Sequence, residues 1–167
     1  MIRQRSSKYS VLVQEDEENK RPEQIDFNNQ SEVILQMLLS ETSKKYFERY
    51  SISEFSLENM IAFLDLYEIQ KQPSLNHLRD FCTKYVNKGS EFELNLSARL
   101  SVSCKETLTE SREEQVPQIM DRLKSELLTN LMDTFDRFKF TREYRVAIKS
   151  LKNTVELKNQ VHKLVGQ

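Results

Sequence analysis

Glycine and proline are scarce in this 167-residue chain: two Gly and three Pro, where average usage would give about twelve and about eight. Sandwiches and barrels consume these residues at their many tight turns. Phosphate-cradling loops need clustered glycines so that backbone can approach the ligand. Gly89 and Gly166 supply neither, which excludes most β-rich folds and the glycine-dependent nucleotide motifs. An all-α chain is expected. Cys82 and Cys104 lack CxxC spacing, so they make neither a disulfide framework nor a zinc cage, and reduced cytosolic thiols are expected. The only histidines are His77 and His162. No HExxH or GxSxG pattern occurs, and His77, between Leu75 and Leu78, reads as a surface or core-edge residue. No apolar run approaches the ~20 residues of a membrane span. The first residues do not read as a secretory signal, Ile2 is not the glycine of N-myristoylation, and the last residues are not a prenylation box. With 25 Lys/Arg against 26 Asp/Glu the net charge is −1, so no global field points to nucleic acid.

Apolar residues make up 38% and charged residues 31%, which calls for one economical core with polar tails. Nine Phe and six Tyr argue against full disorder. Residues 1–29 carry the acidic run Glu15–Glu18 and read as a flexible polar tail, in which Tyr9, Val11 and Val13 alternate like a short docking strand. Helical spacing then begins with Val33, Ile34, Met37 and Leu38. A short helix with Tyr46, Phe47 and Tyr50 inward follows, then a connection over 52–55. Ser56 opens a helix as its N-cap, with Glu58 at the positive end of the dipole. Pro73 and Ser74 start a helix through Leu78, Phe81, Tyr85 and Val86, closed by a left-handed Gly89. Residues 90–102 read as irregular, and Ser103 with Glu106 has capping-box spacing for a short helix. Ile119, Met120, Leu123, Leu127 and Leu131 mark the longest helix, with a turn or kink expected at 133–136. A last helix carries Tyr144, Ile148, Leu151 and Val155, then Val161 and Leu164. About eight helices make an antiparallel bundle.

Residues 46–68, YFERYSISEFSLENMIAFLDLYE, resemble the regulator of G-protein signalling (RGS) homology domain. Its pattern is an aromatic-rich F-x-x-[FY], then S-E-[FY]-S-x-E-N, then an aromatic-bearing helix. Phe47, Tyr50, Ser53, Glu54, Phe55, Ser56, Glu58 and Asn59 match, and Phe63 stands where the family usually has tryptophan. EFELNLS (91–97) resembles the family's loop and puts Asn95 on its functional asparagine, with Ser97 where an aspartate is usual. TNLMDTFDRFKF (129–140) resembles N-L-M-x-x-D-S-Y-x-R-F through Asn130, Leu131 and Met132. Ungapped, Phe135 falls on the family's aspartate and Lys139 on its arginine. A one-residue shift recovers Asp136 as the aspartate but sets Phe140 on the arginine.

The resemblance implies an RGS-like multi-helix domain over 30–151 with an antiparallel four-helix bundle core, followed by a basic amphipathic extension over 152–167. It implies a cytoplasmic, monomeric GTPase activator that binds GTP-bound Gα at its switch regions. The activator stabilises the transition state of hydrolysis with no catalytic residue, cofactor or metal of its own. The implied Gα-binding residues are Ser56, Glu58, Asn59, Asn95, Leu131, Asp136 and Lys139. Each has a purely structural alternative: a cap at Ser56, a dipole partner at Glu58, local turns at Asn59 and Asn95, core packing at Leu131, a solvated i,i+3 pair at Asp136–Lys139. For the whole chain the alternative is a catalytically silent RGS-like scaffold or a helical adaptor. From 139 to 163 seven Lys/Arg face only Glu143 and Glu156. An ordinary terminal helix with a solvated basic side is the preferred expectation there. Peripheral contact with an anionic membrane, with recruitment to the inner face of the plasma membrane, is the alternative.

Overall fold

The computed structural model describes residues 25–165, so the N-terminal acidic run, the Tyr9–Val13 alternation and Gly166 lie outside the described residues. Seven α-helices follow one another: α1 (Gln30–Leu39), α2 (Glu41–Ser53), α3 (Leu57–Ile69), α4 (Leu75–Phe81), α5 (Ala98–Thr109), α6 (Val116–Phe138) and α7 (Arg142–Val165). A π-helical turn, Cys82–Val86, extends α4, and a 3₁₀ turn, Glu113–Gln115, precedes α6. No strand occurs among the described residues.

Caps explain most starts. Asn29, Ser40, Ser74 and Ser97 each accept an N–H of the first turn of α1, α2, α4 and α5, satisfying a donor that the helix leaves open. Pro117 sits in the first turn of α6, where its missing N–H costs nothing.

Four expectations are corrected. α2 runs on through Ile52 and Ser53, so the connection to α3 is shorter than 52–55. Ser97, not Ser103, caps α5; the Ser103 hydroxyl donates back to the Arg99 carbonyl at 3.0 Å inside that helix. Gly89 is left-handed (φ +77°), but it turns the loop beyond the π-helical segment, whose C-cap is Asn87. No turn interrupts α6 at 133–136; Phe135 and Phe138 continue its buried stripe across those residues.

The core draws on every helix. Pairs along α3 and α6 fix their antiparallel sense: Gln70 bonds Asp121, Asn59 bonds Asn130 and Ser56 bonds Thr134. α5 runs antiparallel to α6 by the same logic, with Ser97 on Glu126 and Ser103 on Arg122. α2 lies along α7, tied by the buried Ser43 hydroxyl donating to the Ala147 carbonyl at 3.0 Å. An aromatic cluster of Phe47, Phe135, Phe138 and Tyr144, with Tyr50 at its edge, closes the α2–α6–α7 junction. Its rings stand at centroid distances of 5.1–6.3 Å, several of them edge-to-face, the arrangement that aromatic quadrupoles favour.

Candidate functional site

The polar residues of α6 that face α2, α3 and the 90–97 loop recur at spacings of four, four and three: Glu126, Asn130, Thr134, Arg137. That spacing keeps them on one stripe, about 16 Å long at 1.5 Å rise per residue. Each rung receives a different part of the chain. Ser97 donates its hydroxyl to Glu126 at 2.9 Å, and its backbone N–H reaches the same carboxylate. Asn130 donates its amide to Asn59 Oδ1 at 3.1 Å. Thr134 donates its hydroxyl to Ser56 Oγ at 3.2 Å. Arg137 Nε donates to Glu54 Oε2 at 2.7 Å. The three sequence stretches singled out above therefore converge on the C-terminal half of α6.

Asn95 is exposed, and its side chain makes no hydrogen bond within the described residues. It stands at the tip of a γ-turn closed by Leu96 N–H on the Leu94 carbonyl at 3.0 Å. Leu94 is buried below it, and its N–H is tied to the Tyr85 carbonyl at 2.8 Å. The amide is thus presented outward on a pinned base.

Asn59 is only 9% exposed. Its Nδ2 donates to Glu58 Oε1 at 2.9 Å while its Oδ1 takes the Asn130 amide. Both ends of the amide are used inside the protein, so Asn59 orients Glu58 and Asn130 rather than meeting a partner itself. Glu58 is half-buried with its carboxylate fixed by that bond. Ser56 stands at the N-cap of α3 but forms no side-chain cap. The expected capping role is corrected: its backbone (φ −129°, ψ 17°) is not extended, and its hydroxyl is occupied by Thr134.

Leu131 is 1% exposed and lies in the core, which corrects its expected role as an apolar surface contact. Asp136 and Lys139 form an i,i+3 ion pair at 2.6 Å, and Gln30 donates to the same Asp136 oxygen at 2.9 Å. The Lys139 ammonium, then the Gln30 amide, hold the Asp136 carboxyl below the usual carboxylate range. The hydrogen bond to Glu54 is the main cause that keeps the Arg137 guanidinium charged beyond its ordinary range, and Asp133 one turn away adds to it.

Phe55 is 92% exposed and left-handed at φ +53°, a backbone region that L-residues enter at a cost. It projects between Glu54 and Ser56, two residues engaged with α6. Sequence reading placed Phe55 in a motif but did not foresee this exposure. It also missed Glu126, Thr134 and Arg137. The available signal was their four-residue polar spacing, running beside the apolar Leu123, Leu127 and Leu131.

The strip offers amides, carboxylates and one guanidinium, a set suited to recognition by hydrogen bonds. Among the described residues no cluster of His, Cys, Asp or Glu is placed to hold a metal ion, and no helix is long and apolar enough to cross a membrane. No protein-family model matches the chain, and no curated protein matches it.

Proposed function

We propose that this chain has an RGS-like fold and is a GTPase-activating protein for heterotrimeric G-protein α subunits, acting in the cytoplasm as a monomer. The observation that carries the reading is that residues 54–59 and Ser97, two residues beyond Asn95, meet one stripe of α6 running from Glu126 through Asn130 and Thr134 to Arg137. A partner held by all three stretches must meet them on one side, and helix pairing supplies that side.

The third stretch also fits the family pattern better in a different register. With two residues deleted after Met132, D-S-Y-x-R-F falls on Asp133, Thr134, Phe135, Asp136, Arg137 and Phe138. The arginine position is then Arg137 rather than Lys139 or Phe140. Burial agrees with that register, since the two aromatic positions, Phe135 and Phe138, are interior and Arg137 is not. In that register the arginine position is filled by Arg137, which pairs with Glu54 of the first motif.

Roles follow from placement. Asn95 presents a free amide that donates to and accepts from a switch residue of the partner, fixing a group that orients the attacking water. Glu58 offers a fixed acceptor and Phe55 an exposed apolar contact. Asn59, Asn130 and Thr134 are positioning residues. Phosphoryl transfer needs alignment and charge stabilisation, so a surface that binds the transition-state form of the switches more tightly than the ground state speeds hydrolysis by that difference. No reactive group of this chain enters the reaction.

Single-turnover GTP hydrolysis by a panel of Gα subunits, with and without the chain, tests the reading. Acceleration is expected for at least one subunit. Asn95→Ala should reduce it about tenfold or more, each tenfold being about 1.4 kcal/mol of lost transition-state binding, with thermal stability unchanged. The internal engagement of Asn59 favours one second reading, a silent RGS-like scaffold. Equal binding to the GDP form and to the transition-state-mimic form of Gα, with no acceleration, would select it.

A further inference from the structure

The buried face of α7 thins along its length. Tyr144, Ala147, Ile148 and Leu151 pack inward against α1 and α2, and this inner face fades beyond Val155, which is half-buried. A second apolar row then appears. Leu157 is 62% exposed, Val161 51% and Leu164 76%. Their i, i+4, i+7 spacing puts them on one stripe, and Val146, 48% exposed, stands at the same angle three turns earlier with the polar Ser150 and Asn153 between. At 100° per residue this row lies roughly 100–155° round the helix from the inner face, so packing against the bundle does not explain it. From Leu157 to Leu164 it spans about 10 Å.

Charge indicates what covers the row. Between 139 and 163 the chain has seven Lys/Arg against two Glu, within a protein of net charge −1. Arg142, Lys149 and Lys152 are exposed along α7. An apolar partner face would match the row alone; a surface both apolar and anionic matches the row and its basic border. Long lysine stems also allow the apolar row to sink while the ammonium groups stay at the polar level.

We infer that α7 lies in the headgroup plane of an anionic bilayer, with Leu157, Val161 and Leu164 inserted and the flanking cations on acidic lipid headgroups. Binding then combines buried apolar area with attraction to negative lipid, and both contributions are needed for stable attachment.

Co-sedimentation of the full chain with liposomes tests this independently of any GTPase assay. With phosphatidylcholine vesicles containing about 30% phosphatidylserine the chain is expected to pellet, and with pure phosphatidylcholine it is not. Raising salt to about 0.5 M should release it, since screening shortens the reach of the cations. L157Q/V161Q/L164Q, made at exposed positions and checked for an unchanged melting temperature, should lower the partition coefficient about tenfold or more. Lys149→Gln with Lys152→Gln should lower it severalfold and reduce its salt dependence. Equal binding to neutral and acidic vesicles, no binding to either, or binding unaffected by the triple substitution would overturn the inference. So would a concentration-dependent dimer in light scattering that the triple substitution abolishes, because the row would then be a self-association face.

Discussion

Two sides of α6 run parallel for three turns and do different work. One side carries Leu123, Leu127, Leu131, Phe135 and Phe138, all buried. The other carries Glu126, Asn130, Thr134 and Arg137, each bonded to a different segment. The first holds helices together by area removed from water. The second sets which loops sit beside which. Stability and recognition are thus borne by neighbouring stripes of a single helix, and substitutions should separate them.

The largest effect is expected on the apolar side. Phe138→Ala removes a fully buried ring that meets Phe47, Tyr50 and Tyr144 and should cost about 3–5 kcal/mol in urea denaturation. A loss under about 1 kcal/mol would mean that the junction repacks and that the two stripes are not distinct in energy. On the polar side, Asn130→Ala leaves Asn59 Oδ1 short of its donor in a buried position and should cost about 1–2 kcal/mol. A double-mutant cycle with Asn59→Ala should show coupling, as the two amides act as one unit.

Smaller still, Glu54→Gln and Arg137→Gln break an exposed ion pair and should leave the melting temperature nearly unchanged, since solvent screens such pairs. If they abolish Gα binding while stability holds, the comparison sharpens; if stability falls with binding, it breaks. The weakest effect is at Asp136. Its carboxyl is held below the usual range by Lys139 and then Gln30, so the stabilisation exists above the unfolded-state carboxylate pKa and is lost as pH falls through the folded one. Asp136→Asn should flatten the acid limb of the stability profile below about pH 4, and an unchanged limb would assign that acid sensitivity to other carboxylates.

The thiols give a control away from both stripes. Cys82 and Cys104 are buried. The Cys82 thiol is pushed up by its hydrogen bond with Cys104 and by burial. Labelling by an aromatic disulfide reagent at neutral pH should be slow in native protein and rapid in denaturant.

Most helices were legible in the sequence because apolar spacing reports burial directly. The spacing of Val33, Ile34, Met37 and Leu38 marks the inner face of the first helix, and these are its buried residues. No turn forms at 133–136 although Asp133, Thr134 and Asp136 are polar, because Phe135 and Phe138 dominate the packing and keep α6 continuous. Ser103 reads as a cap in the sequence because Ser-x-x-Glu also occurs inside helices, but Ser97 has the free first turn to serve. Of the candidate site, Asn95 was placed by motif alone. Its exposure depends on how Leu94 seats on the core, a tertiary event that local sequence does not encode. The polar rungs were illegible for the same reason, since each joins residues 29 to 83 positions apart.

The turn at Phe55 carries a consequence for laboratory evolution. Glycine there would relieve the left-handed backbone by about 1 kcal/mol and delete a ring that touches almost nothing within the molecule. Selection for heat tolerance alone should therefore drift toward Phe55→Gly, and the hardier protein it yields would have lost its outward aromatic handle.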